Sequence, residues 1–142
     1  MTPRFRAWYT PFKGKTIGQE MKYGQAGRLI THAEMAPDKY VLMQSTGLKD
    51  KNGVEIFEWD IALITHKSTN YADTYWHSYV EVFRAKNGAY RIRGEHIYET
   101  ELYSNRKQLT VAGNIYNSPE LLKRDRFMTT TENPELSGDE QR

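Results

Sequence analysis

Apolar residues recur along this chain at every second position and in short runs, the period of half-buried β-strands, whose successive side chains point to opposite faces. RFRAWY (residues 4–9), bracketed by Pro3 and Pro11, predicts a strand with Phe5, Ala7 and Tyr9 on one face and Trp8 on the other. KYVLMQSTGL (39–48) predicts a second, in which Val41 and Met43 oppose Tyr40 and Leu42. QLTVAGNIY (108–116) predicts the last. Between the first two, Gly14, Gly18, Gly24 and Gly27 interrupt every period. AGRLITHAEMA (26–36) fits either a short strand or a turn and a half of helix, and the reading adopted is strand. Pro37-Asp38 then marks a turn, and HIYETELYSN (96–105) fits strand or loop.

Two Asn-Gly pairs punctuate the pattern. Glycine takes the left-handed backbone without steric cost and Asn tolerates it, so Asn52-Gly53 and Asn87-Gly88 each predict a hairpin. Charge selects the register of the second. A two-residue loop would set Arg84 opposite Arg91. A three-residue loop, Lys86-Asn87-Gly88 with a bulge at the glycine, sets Val82 opposite Ile92 and Glu81 opposite Arg93. Apolar and opposite-charge pairs stabilise by roughly 0.2–1 kcal/mol each and facing like charges destabilise, so the longer loop is expected.

After the first Asn-Gly pair the parity slips. Val54 and Ile56 share one parity, while Phe57, Trp59, Ile61 and Leu63 share the other. One straight strand cannot bury both sets on one face, so the chain must bulge, bend or turn near Ile56–Phe57. Such corners are how small barrels close. THKSTNYADTYWHSY (65–79) has no period and predicts a long loop. NSPELLKRDRF (117–127) carries a helix start, with Ser118 as cap, Pro119 at the first position and Glu120 in the first turn. The remainder, 128–142, has four acids and one Arg and reads as a disordered tail.

Composition narrows the chemistry. At 142 residues the chain fits one compact domain or two small lobes. The absence of cysteine removes disulfides, thiolate metal sites and Cys nucleophiles. The N-terminus has no apolar core of a secretory signal and no run approaches the ~20 apolar residues of a membrane span, so a cytoplasmic protein with no membrane partner is expected. The whole chain is +2 and the tail −3, which leaves a body of +5, weak for a nucleic-acid binder.

FRAW (5–8), LMQSTGLKDKNGVEIFEWDI (42–61) and GNIYNSPELL (113–122) resemble, in order and spacing, the three blocks of the YopX family of phage and prophage proteins. The resemblance spans most of residues 1–123 and implies a strongly bent, SH3-like small β-barrel. It implies no activity and no catalytic residues. One position departs: the family usually reads Glu-Gly-Asp where this chain has Glu58-Trp59-Asp60. Trp cannot take a positive φ cheaply. Either the turn is of a type open to any residue, or the local geometry differs, or Trp59 caps the core or stands at an interface.

The expected architecture is therefore mainly all-β: an SH3-like barrel over 41–116, an N-terminal β lobe over 1–40, a short C-terminal helix within a domain ending at 127, and a disordered acidic tail over 128–142. Asp50, Glu55, Glu58 and Asp60 crowd one stretch, but their spacing misses the EF-hand pattern and suits turns and solvated strand faces. His66, Asp73 and His77 share the predicted loop without a metal or triad signature. Neither phosphate-loop motif occurs. Two binding candidates remain. Arg84, Tyr90, Arg91 and Arg93 on the second hairpin join cations to a stacking ring, as in barrels that hold single-stranded nucleic acid. Tyr75 and Trp76, in YADTYWHSY (71–79), are of the types that dominate protein interfaces. The expected function is a non-enzymatic, cofactor-free accessory protein that binds a protein partner or forms a homo-oligomer. Single-stranded nucleic acid is the alternative partner.

Overall fold

The computed structural model describes residues 4–24 and 26–134. The chain forms two compact units, Met1–Gly47 and Leu48–Arg142. The first contains β1 (Phe5–Tyr9), β2 (Glu20–Gly24), helix α1 (Ala26–Met35) and most of β3 (Tyr40–Lys49), which runs on into the second. Its strands lie antiparallel in the order β2-β1-β3, with Ala7 opposite both Lys22 and Leu42. Ala7, Leu29 and Met43 are buried.

AGRLITHAEMA is helical, which corrects the strand expectation. Leu29 and Ala33, one turn apart, lie on the same side, where Leu29 is buried and Ala33 half-buried. The Thr31 hydroxyl donates to Gly27 O at 2.8 Å, inside the helix. Ile30 and Thr31 favour strands locally, but docking of α1 on β1 and β2 overrides propensity.

The second unit contains β4 (Glu55–Phe57), β5 (Asp60–Lys67), β6 (Tyr75–Arg84), β7 (Tyr90–Gly94), β8 (Ile97–Glu101), the short helix α2 (Leu102–Asn105), β9 (Leu109–Asn114) and β10 (Phe127–Thr129). Strands β8-β7-β6-β5-β9 make one antiparallel sheet that curls into a half-barrel. β5 lines one edge of β6 from Tyr75 to Glu81. The other edge is shared, with β7 on Glu81–Arg84 and β10 on Tyr75–His77. Register shifts at Ile61/Ala62 against β9 and at Ile92/Gly94 against β8 interrupt the ladders, and such bulges increase local bend and twist.

Parity places the core on both sides of this sheet. Ala62, Ile64, Val80, Val82 and Ile92 pack with Ile56, Leu102 and Leu109 on one face. Ile61, Leu63 and Tyr79 pack with Ala112 and Leu121 on the other. β5 is therefore apolar without alternation over Ile61–Ile64, as a strand covered on both sides requires.

Both Asn-Gly loops have three residues and a left-handed glycine, with φ +82° at Gly53 and +89° at Gly88. In each, the glycine N–H donates to the residue before the loop, Gly53 to Asp50 O and Gly88 to Ala85 O. The second hairpin has the charge-selected register, Val82 opposite Ile92 and Glu81 opposite Arg93.

The parity slip resolves as a sharp turn at Glu58-Trp59, between β4 and β5. Trp59 does adopt a positive φ, +65°. Its backbone is held on both sides: its N–H donates to Val82 O at 2.7 Å, and Ile115 N–H donates to its carbonyl at 3.0 Å. The buried Asp60 carboxylate closes the turn by accepting from Phe57 N–H at 2.8 Å. A left-handed non-glycine residue costs about 1–2 kcal/mol, offset here by these bonds. The usual order of Ala over Gly should therefore invert. Trp59→Gly and Trp59→Ala lose the same indole, yet the Gly variant should be the more stable by about 1 kcal/mol in urea unfolding. Equal stabilities would show that the turn carries no strain.

Three further expectations are corrected. Residues 65–79 are mostly strand: β5 continues to Lys67, β6 starts at Tyr75, and only 68–74 form the loop. Cross-strand pairing, which periodicity does not report, holds the polar ends of these strands. The C-terminal segment makes a single 3₁₀ helix, Pro119–Lys123, and the Ser118 side chain makes no capping bond. Ser118 is instead buried, and a Cβ on Gly113 would lie 3.0 Å from its hydroxyl oxygen. Finally, Met128 and Thr129 belong to β10, within the stretch expected to be disordered, because β6 offers them an open edge. Residues 135–142 of that stretch lie outside the described residues.

Candidate binding surface

The second hairpin does not bring its four candidates together. Side chains of one parity share a face, so Arg84 and Tyr90, which pair directly, lie on the side of Val82 and Ile92. Arg91 and Arg93 project from the opposite side, and both are engaged by acids. Arg93 Nε lies 2.7 Å from Glu81 Oε1, and its guanidinium sits 4.0 Å over the Phe83 ring. Arg91 Nε lies 2.7 Å from Glu99 Oε2 on β8. Arg84 is exposed, and its guanidinium carbon is 6.0 Å from the Tyr90 ring centre. Tyr90 is half-buried, with a buried hydroxyl that has no hydrogen-bond partner. Burial, with Glu58 nearby, pushes its pKa up against the opposing pull of Arg84.

The other end of β6 is more cohesive. Trp76 stands opposite His66 on β5 and opposite Met128 on β10, a row across three strands. Trp76 and His66 are half-buried and Met128 is 48% exposed. The Arg126 guanidinium lies 4.5 Å over the Trp76 ring, within cation–π range. Tyr75, one residue earlier, faces the other side.

His77 shares the side of Tyr75 and is fully buried. Its Nδ1 is 2.9 Å from Thr65 Oγ1 and its Nε2 is 2.7 Å from Thr129 Oγ1. Thr129 gives its own hydroxyl proton to Thr131 O at 2.6 Å. Its oxygen must then accept from Nε2–H, and in the neutral ring Nδ1 accepts from the Thr65 hydroxyl. The neutral Nε2–H tautomer thus fits a chain of bonds that runs from β5 through β6 to β10. Burial and then the Lys51 charge push its pKa down, against the opposing pull of the Thr131 carbonyl. The ring stacks on Phe127 at 5.0 Å. His66, on the opposite side, and Asp73, in the loop, do not join it, so the three do not form a site. Among the described residues, no group of three or more His, Asp or Glu side chains is placed to hold a metal ion.

The family described as YopX protein matches residues 4–123. The chain belongs to the YopX family. A crystal structure of protein EF1440 from Enterococcus faecalis is similar to this YopX chain at 29% identity, covering 86% of this chain and 99% of that one, with a TM-score of 0.48. No curated protein matches it. The matched span stops short of β10, so Thr129 and Met128 lie beyond the family match while His77, Trp76 and His66 lie within it. No helix among the described residues is long and apolar enough to cross a membrane.

The sequence singles out Tyr75, Trp76 and the hairpin arginines as candidates; that Met128 and Arg126 neighbour Trp76, and that His77 is buried between two threonines, only the structure shows. The sequence reading places Met128 in the tail and Arg126 in the segment 117–127 that carries the expected helix start. The one available signal was Phe127-Met128-Thr129, apolar and β-branched residues just after the last charged cluster.

Proposed function

We propose that this YopX-family chain is a non-catalytic phage or prophage accessory protein that works in the host cytoplasm by binding another macromolecule, either a protein partner or a second copy of itself. In this reading the curled sheet is an SH3-like barrel that serves as a scaffold. The row His66, Trp76 and Met128, with Arg126 stacked on the indole, carries the proposal. Trp and Arg concentrate binding energy at interfaces, and Met adapts to irregular partner surfaces. The row stands on paired strands, so little conformational freedom is lost when a partner covers it.

Sedimentation of the full chain, with capture from lysogenic cells, tests the reading. Trp76→Ala and Met128→Ala should convert an oligomer to monomer or weaken partner capture at least tenfold. Unchanged mass and capture in both variants would overturn it, as would a reproducible turnover lost on changing His66 or Asp73. Single-stranded nucleic acid is the second reading, supported by exposed Arg84 and Lys86 at the hairpin tip. Such binding must weaken steeply with salt, because displaced counterions drive it. The engagement of Arg91 by Glu99 and of Arg93 by Glu81 favours the first reading.

A further inference from the structure

Beneath the open end of the β5–β6 pair, on the face opposite Trp76, lies a recess of about 210 Å³ lined by Lys51, Thr65, Lys67, Tyr75, Gln108 and Glu132. The fold assembles it from five places. Thr65 and Lys67 are two apart on β5 and so share a face, and Tyr75 pairs with Lys67 across the ladder. Lys51 comes from the first Asn-Gly loop, where its N–H donates to Leu109 O and thereby sets it beside Gln108. Glu132 arrives three residues after Thr129, which β10 and the His77 bond anchor opposite Tyr75.

The lining is chemically one-sided. Lys51 and Lys67 supply ammonium groups, Tyr75 a phenol O–H and Gln108 an amide NH₂. Thr65 is already committed to His77. The one anionic side chain is Glu132, exposed and from the C-terminal segment. His77, bonded to Thr65 of this lining, has its pKa pushed down by burial and then by the Lys51 charge.

We infer that this recess binds a phosphoryl group, with Lys51 and Lys67 as charge partners and Tyr75 and Gln108 as neutral donors, and that the Glu132 carboxylate competes for the same place. Two ammonium groups, a phenol and an amide lining one recess suit an oxyanion with three or more acceptor oxygens better than a carboxylate with two. A phosphoryl group therefore displaces Glu132, and the C-terminal segment acts as an internal competitor. The inference is independent of the Trp76 row, which lies on the other face.

Inorganic phosphate, titrated into the full chain at constant ionic strength and followed by amide NMR shifts of Lys51, Lys67 and Tyr75, tests it. Saturable shifts at these residues are expected. Glu132→Gln should tighten binding up to about fivefold, and Lys67→Gln should weaken it by a similar factor, the range of partly exposed charge pairs. Lys67 ends an exposed strand terminus, and an unchanged unfolding midpoint in Lys67→Gln verifies that the variant is folded. AMP and O-phosphoserine then separate a nucleotide source from a protein source of the same group. Shifts that chloride reproduces at equal ionic strength would overturn the inference, as would variants with unchanged phosphate affinity.

Discussion

Asp50→Ala should lower the unfolding free energy by about 3 kcal/mol, read from urea or guanidinium unfolding of the full chain. The estimate follows from what one buried carboxylate does. Asp50 Oδ1 accepts from Asn52 N–H at 2.8 Å and from Val54 N–H at 2.9 Å, closing the first Asn-Gly loop. Its Oδ2 accepts from Val111 N–H at 2.8 Å, tying that loop to β9 across 61 residues of sequence. Hydrogen bonds to a charged acceptor contribute about 1.5–3 kcal/mol each, and removing the acceptor strands the donors. The loss is less than the sum, because the exposed side of the loop regains water. Asp50→Asn should cost less than Ala, since its amide oxygen can keep the two loop bonds while its NH₂ cannot accept from Val111. A loss of under 1 kcal/mol in the Ala variant would mean that the carboxylate is not the clamp. The crowding of acids at 50–60 is thus structural at two positions: Asp50 closes one turn and Asp60 the next.

The second large effect belongs to His77. His77→Ala should destabilise by roughly 3 kcal/mol, by removing a buried ring and taking from Thr65 and from the Thr129 oxygen the hydrogen bonds that the ring makes. The damage should concentrate at β10, where hydrogen exchange of Met128 should accelerate more than that of Val80. The same residue gives a pH dependence whose sign follows from its depressed pKa. Unfolded His77 takes up a proton near its ordinary value of 6.5, while the folded protein resists until lower pH. In that window the unfolded state binds more protons, so stability falls as pH drops below about 6.5 and is full above it. His77→Phe, which keeps a ring against Phe127, should flatten this part of the profile relative to wild type. Identical slopes between pH 7 and 5 in the two proteins would refute the assignment.

Much of the second unit was legible from residues alone. The two Asn-Gly loops, the three-residue form of the second, its Glu81–Arg93 register and the corner near Ile56–Phe57 all follow from local turn chemistry and period-2 parity. The candidate surface was legible only in part. Parity already separates Arg84 and Tyr90 from Arg91 and Arg93, but Glu99 as partner of Arg91 depends on how β8 pairs. Trp76 was visible as an aromatic, whereas its neighbours His66 and Met128 become neighbours through registers with two other strands. The family match adds membership without adding a site.

By itself, then, the sequence determined the two Asn-Gly reversals, the corner near Ile56–Phe57 and how β6 meets β7, because these depend on residues close together in the chain. Tertiary structure alone decided that 26–35 is helical, that Trp59 takes a left-handed backbone, and that β10 closes over His77. A short apolar segment can satisfy its backbone as helix or strand, and the packing surface it meets makes the choice. Trp59 is held by Val82 and Ile115, and Thr129 reaches His77 across 52 residues, so both outcomes rest on bonds that no local pattern encodes.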